Sequence, residues 1–167
     1  MTVINNTRII IGVMGGGNVT EKDMEIAYQL GGLIAKQGWV LLNGGRSEGI
    51  MGASAKGARE QGGLTIGILP GTDPRRASKH IDIPICTGMG DARNVINVLS
   101  SNCIIACPGS AGTVSEIALA LKSRRSVILL NCDVESIFDD YMRQGLLLKA
   151  TTPEEAISYV KGCLRKG

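Results

Sequence analysis

Two side chains in this sequence, Arg93 and Glu116, are spaced to act on an anion, and three glycine-rich stretches are spaced to hold one. The stretches are GGGN (Gly15, Gly16, Gly17, Asn18), NGGRSEGIMG (Asn43 to Gly52) and PGSAGT (Pro108 to Thr113). Each follows a short apolar run and precedes a helical pattern. A helix start leaves N–H groups without intrahelical partners and carries roughly half a positive charge. Several starts converging on one crevice therefore make an anion site, with phosphate the default guest. One helix end is worth about 0.3–1 kcal/mol, or ~2 when partly buried, and a charge-assisted bond from an arginine ~1.5–3 kcal/mol. Micromolar binding needs about 8 kcal/mol. A phosphate alone is held weakly on these numbers, so the ligand should have a body as well as a charge.

Arg93 stands at the start of a predicted helix, where a cation opposes the macrodipole and wants a compensating anion. The plainer reading is a solvated helix-start residue. Glu116 lies four residues beyond Gly112 and can face the same crevice, although Thr113 and Glu116 are also spaced as a capping box, a purely local stabiliser. Met51 and Met89 read as packing residues, and Arg75, Arg76 and Lys79 as a solvated loop. No Gly-Lys followed by Ser or Thr occurs, so no Walker A loop can be written. Gly15 and Gly17 begin a GxGxxG pattern, but Thr20 takes the third glycine's place. The second strand ends at neutral Asn43 where a ribose-binding acid is expected, which argues against a dinucleotide.

The elements that must position these residues alternate along the chain. Arg8 to Met14 is a β-branched run stopped by glycines, and Thr20 with Asp23 caps a helix whose apolar positions Met24, Ala27, Leu30 and Ile34 recur at helical spacing. Further strands are expected at Trp39 to Leu42, Leu64 to Leu69, Ile81 to Cys86, Cys103 to Cys107, Val127 to Leu130 and Leu146 to Lys149. Helices are expected at about Gly49 to Gln61, Asp91 to Ser101, Thr113 to Ser123 and Glu135 to Arg143. A last helix opens on Thr152, Pro153 and Glu155 as a capping box with proline at its first position. Such alternation predicts an α/β fold: one Rossmann-like, doubly wound, mostly parallel sheet with helices on both faces, a single domain over 1–167 that binds ligands outside the carboxyl ends of its strands.

Composition narrows the partners. The 167 residues carry a net charge of +3, 44% apolar residues and 23 glycines, about twice the usual ~7% for glycine. One Trp, one Phe and three Tyr are too few to interleave a basic surface with stacking rings, so nucleic acid is not expected. Met1 to Thr7 is polar and lacks a signal core, and the apolar runs fall short of the ~20 residues that span a bilayer, which points to a cytoplasmic protein without membrane contact. Cys86, Cys103, Cys107, Cys132 and Cys163 are an odd number in apolar segments and read as small buried thiols. With only His80 besides, no metal-ligand set is expected.

With these residues in hand, the sequence resembles the Rossmann-like superfamily once misannotated as lysine decarboxylases, which includes the LONELY GUY cytokinin riboside monophosphate phosphoribohydrolases. PGSAGTVSE (Pro108 to Glu116) is similar to its PGGxGTxxE signature and GGRSEGIMG (Gly44 to Gly52) to its GGGxxGLMG turn. DARN (Asp91 to Asn94) stands where MHxRK is expected, and the likeness spans about residues 8 to 150. GMGDARN (Gly88 to Asn94) followed by PGSAGTVSEIALAL (Pro108 to Leu121) looks more like the branch of molybdenum cofactor carrier proteins.

In the hydrolases the residues matching Arg93 and Glu116 form the catalytic pair, and both are kept. Ser110, Arg46 and Asn94, however, replace two signature glycines and a lysine. The resemblance therefore implies a carrier that holds the molybdenum cofactor as cargo, a pterin bearing a terminal phosphate and a dithiolene-held oxomolybdenum group. The alternatives are a phosphoribohydrolase acting on a nucleoside 5′-monophosphate, and a module that senses a nucleotide-like ligand without chemistry. The binding set it implies takes Gly15, Gly16, Gly17 and Asn18 from the first turn, and Gly44, Gly45, Arg46, Gly49, Met51 and Gly52 from the second. Arg93 and Asn94 follow, with Pro108, Gly109, Ser110, Ala111, Gly112, Thr113 and Glu116 from the third. Arg93 and Arg46 would balance charge, and Ser110 and Thr113 would add hydroxyl donors. The resemblance further implies a homodimer or homotetramer and molybdoenzymes as recipients. The segment EIALAL (Glu116 to Leu121), apolar on more than one face, is consistent with self-association.

Overall fold

β-Branched and leucine-rich runs of four or five residues form the strands, and a glycine directly follows the first two, at Gly15 and Gly44. The computed structural model describes residues 8–134 and 136–165. The strands are β1 (Ile10–Met14), β2 (Val40–Asn43), β3 (Thr65–Leu69), β4 (Ile83–Cys86), β5 (Cys103–Ala106), β6 (Val127–Leu130) and β7 (Leu147–Ala150). The helices are α1 (Glu21–Lys36), α2 (Gly49–Glu60), α3 (Asn94–Leu99), α4 (Ala111–Lys122), α5 (Asp139–Arg143) and α6 (Pro153–Leu164). The sheet has the order β4-β3-β2-β1-β5-β6-β7, and every neighbouring pair is parallel.

That order contains the feature that makes a site. From β1 the chain winds outward through β2, β3 and β4, then returns to lay β5 against β1, with Ile11 opposite Cys103 and Met14 opposite Ala106. Connections leaving β1 and β5 therefore diverge and open a crevice at their carboxyl ends. Two buried layers fix the strands. Ile11, Val13, Leu41, Ile105 and Ile128 pack against Leu30 and Ile34 of α1, Ile50 of α2 and Val160 of α6. On the opposite face Met14, Leu42, Ile104 and Leu129 pack against Val98 of α3 and Ile117 and Leu121 of α4. Two layers follow from central strands whose apolar residues point to both faces, as Ile11 and Met14 of β1 and Leu41 and Leu42 of β2 do.

Local chemistry agrees with the expected boundaries to within a residue or two, with instructive exceptions. Thr20 and Asp23 make the full capping box, Asp23 N–H donating to Thr20 Oγ1 and Thr20 N–H to Asp23 Oδ2, each at 3.2 Å. At α6 only half of the expected box forms. Thr152 Oγ1 accepts from Glu155 N–H, but the Glu155 carboxylate takes the N–H and hydroxyl of Thr151. The helix expected over Asp91 to Ser101 is a 3-10 turn, Gly90–Arg93, continued by the short α3. The expected Glu135 to Arg143 helix is a 3-10 turn at Ser136–Phe138 followed by α5; its first residue, Glu135, and the Met1 to Thr7 segment lie outside the described residues. β4 is an exposed edge along its whole length, so Cys86 is an exposed thiol rather than a buried one. Cys103 and Cys107 are buried as expected, and burial pushes the Cys107 thiol up to about 12, which leaves it inert as a nucleophile. No group of three metal-ligating side chains occurs among the described residues.

Candidate functional site

The three glycine-rich turns lie on one side of the molecule and are bonded to one another. Gly16 N–H donates to the Pro108 carbonyl at 2.9 Å, and Ile50 N–H donates to the Gly16 carbonyl at 3.1 Å. The second bond requires a particular backbone at Gly49, whose φ is +53° and whose missing Cβ would overlap the Gly16 carbonyl oxygen. Only glycine meets both conditions. Asn43 braces the second turn from below: its Oδ1 accepts from Gly45 N–H at 2.8 Å and its Nδ2 donates to the Met51 carbonyl at 2.9 Å. The asparagine that argued against a dinucleotide is a structural strut.

Between the turns is a cavity of about 150 Å³. Arg93 forms one wall, carried there by the 3-10 turn, and is 8% exposed. It lies against the backbone of Gly44, where a Cβ would come within 2.5 Å of Nη1, so the glycine makes the room the guanidinium occupies. Arg93 Nε and Nη1 are buried with no hydrogen-bond partner. A buried charge without partners costs several kcal/mol. Burial lowers its pKa, opposed by the nearby charges of Glu116 and Asp91 and reinforced by that of Arg46, while the guanidinium stays protonated. Opposite stands Glu116 of α4, also buried, whose Oε1 accepts from Asn97 Nδ2 at 2.7 Å.

The expected Thr113–Glu116 capping box does not form. α4 begins at Ala111 with Ser110 as its N-cap, so Thr113 is already inside the helix. Glu116, a turn further on, bonds to α3 instead. The solvated reading of Arg93 likewise fails, because the side chain is buried.

Of the expected binding residues, Gly15, Gly16, Gly17, Gly44, Met51, Arg93, Asn94, Ser110, Gly112, Thr113 and Glu116 line this cavity. Asn18, Gly45, Gly49, Gly52, Pro108, Gly109 and Ala111 do not; Gly45, Gly49 and Pro108 hold the turns in place through the bonds or backbone conformation described above. Arg46 lines a separate hollow. Met89, expected to pack, is 46% exposed. Sequence reasoning missed Val13, Met14 and Asp91 in the wall, and Asn97 behind it. Asn97 was discoverable: it is four residues beyond Arg93, which places the two on one helical face.

Desolvation drives the pKa of Glu116 up from 4.5 to about 7, against the Asn97 hydrogen bond and the Arg93 charge, which both lower it. The folded protein therefore holds this proton more tightly than the unfolded chain does. The contribution is fully present below about pH 4.5 and is lost as pH rises past 7, a change of about 3 kcal/mol at 1.36 kcal/mol per pKa unit. Glu116→Gln should remove that slope. Urea unfolding at pH 5 and pH 8.5 should show the variant gaining on the parent by that amount at the higher pH, and equal pH dependence would contradict the assignment.

Fold and site together define a doubly wound α/β protein whose switch-point crevice is a small cavity walled by three loop-to-helix turns and one buried arginine. The chain belongs to the SLOG cluster4 family, whose model matches residues 8–157. The structure of the molybdenum cofactor binding protein from the phototrophic bacterium Rippkaea orientalis superposes with a TM-score of 0.89 at 48% identity, covering 95% of this chain and 99% of that one. The molybdenum cofactor carrier protein of Chlamydomonas reinhardtii gives 0.88 at 46% identity, over 95% and 99% of the two chains. A cytokinin riboside 5′-monophosphate phosphoribohydrolase of Mycobacterium tuberculosis is 36% identical over 96 residues, 56% of this chain, and the match spans about half (51%) of that enzyme.

Proposed function

We propose that the protein binds and carries the molybdenum cofactor, with one anionic group of the cargo seated in the cavity between the three turns. The observation that carries this reading is the buried guanidinium of Arg93, whose Nε and Nη1 have no partner among the described residues, in the wall of a cavity also lined by Gly15, Gly16, Ser110 and Thr113. Such donors need an acceptor, and the fold offers none. The likeness over nearly the full length of two proteins named for this cofactor supports the cofactor as the source of that acceptor. Arg93 would bond the anionic oxygens, the N–H groups at the start of α4 and the Ser110 hydroxyl would complete the shell, and the glycines would let the cargo approach the backbone. Function is then retention and protection rather than chemistry, in the cytoplasm, with molybdoenzymes as recipients.

Anaerobic incubation with cofactor released from a molybdoenzyme, followed by desalting, tests this directly. Molybdenum by elemental analysis and pterin by oxidised fluorescence should copurify at close to one per chain. A protein that retains neither removes the reading.

A second reading is favoured by one observation: the cavity brings together Arg93 and Glu116, and a carboxyl titrating at about 7 suits a general base. Phosphoribohydrolase activity would release ribose 5-phosphate from AMP and lose it in Glu116→Gln. We expect no release from either protein. Self-association into a homodimer or homotetramer is supported by the exposed apolar side chains Leu99 and Val114 on α3 and α4, and light scattering should report a mass above 17.6 kDa.

A further inference from the structure

A second hollow, of about 360 Å³, opens at the carboxyl ends of β2 and β3 and is lined by Arg46, Glu48, Leu69, Gly71, Asp73 and Arg76 among others. It adjoins the first. Gly44 lines one cavity and Arg46 and Glu48 the other, so a single turn forms the partition. The outer rim is tied to the same frame: Ser78 N–H donates to the Gly45 carbonyl at 2.8 Å, and Gly90 N–H, at the start of the 3-10 turn that carries Arg93, donates to the Pro70 carbonyl at 2.9 Å. Arg46 is near enough for its charge to act on Arg93.

The charges in the second hollow are unevenly committed. Asp73 is occupied by Arg75, whose Nε and Nη2 donate to its two carboxylate oxygens at 2.9 and 3.1 Å. The Arg46 and Arg76 guanidiniums make no hydrogen bond or close ion pair among the described residues, and with Glu48 they leave one positive charge in excess. Size argues the same way. The first cavity, of about 150 Å³, is too small to enclose a whole small-molecule ligand, which usually takes ~300–1,000 Å³, so part of such a ligand must lie outside it.

We propose that the two hollows are halves of one bipartite site: Arg93 holds the first anionic group of the ligand, and Arg46 with Arg76 holds a second, so the cargo class is a small heterocycle bearing two acidic groups. The inference rests on the carrier reading and names which residues hold the part of the cargo the first cavity leaves outside.

The test compares two probes, inorganic sulfate, which fills one anion position, and molybdenum cofactor released from a molybdoenzyme. The double variant Arg46→Ala, Arg76→Ala should hold the cofactor at least tenfold more weakly, while the part of sulfate binding that Arg93→Met abolishes changes less than threefold. Restoring charge with lysine at both positions should recover most of the loss. Unchanged cofactor affinity in the double variant overturns the bipartite site and leaves the carrier reading standing. An equal loss of both probes also overturns it, since the two arginines would then act on the first cavity. Parent protein that binds sulfate but not the cofactor removes the carrier reading, and the bipartite site with it.

Discussion

Replacing Arg93 with methionine stabilises the anion-free protein and abolishes its response to anions. The two effects have one cause. In the absence of ligand, the guanidinium is taken out of water with Nε and Nη1 bonded to nothing, and the charges of Glu116 and Asp91 offset only part of that cost. Exchanging a buried charge that lacks hydrogen-bond partners for an apolar side chain of similar length removes a desolvation cost of several kcal/mol, and the carboxyl of Glu116, which titrates at about 7, can take a proton in place of the lost attraction. Removing one partner of a buried charge-assisted contact costs about 2–5 kcal/mol in binding, or roughly 30-fold to a few thousand-fold in affinity. Thermal unfolding with increasing sulfate reads both at once. The parent should start lower and climb with ligand by mass action, while the variant should start higher and stay flat. A variant that is destabilised and still climbs would show that the guanidinium supports the fold rather than the ligand.

That one residue carries so much could be read from the sequence only in part. The parallel sheet, its order of elements and the position of the crevice follow from strand-sized apolar runs punctuated by glycine, because each such run must be covered on both faces. The convergence of the three turns follows from topology, since all of them leave the carboxyl ends of parallel strands. Burial was not legible. Arg93 at a helix start looks solvated until Gly44 is seen to vacate the volume it fills. Thr113 and Glu116 satisfy the spacing of a capping box, and only the start of α4 at Ala111 shows that Glu116 is free to meet Asn97. Arg76 was indistinguishable from its neighbours in the loop, whereas in the structure Arg75 is hydrogen-bonded to the Asp73 carboxylate and Arg76 lines the same hollow as Arg46. Local rules see contacts a few residues apart; Arg93 meets Gly44 across 49 positions and Glu116 meets Asn97 across 19.

Proton linkage at Glu116 leads to the other large effect. The first cavity is lined by one guanidinium and by the carboxyls of Glu116 and Asp91, with Asn97 packed behind as a neutral donor, so its side chains alone do not make it positive. An anion entering there faces the buried Glu116 carboxyl, which raises that carboxyl's affinity for its proton further above the value of about 7. Binding then takes up a proton. Sulfate affinity should be highest below about pH 7 and fall above it by up to tenfold per pH unit, until the pKa of the bound state is passed. Sulfate is the right probe because its charge is constant across this window, whereas a phosphate monoester titrates near pH 6 and would add a slope of its own. Glu116→Gln keeps a neutral side chain able to bond Asn97, so its affinity should match the parent's at pH 6, exceed it at least tenfold at pH 8.5 and show no slope between. Calorimetry in two buffers of different ionisation enthalpy would count the proton directly. A parent protein whose sulfate affinity is flat from pH 6 to 8.5 would mean that anion and carboxyl do not share the cavity.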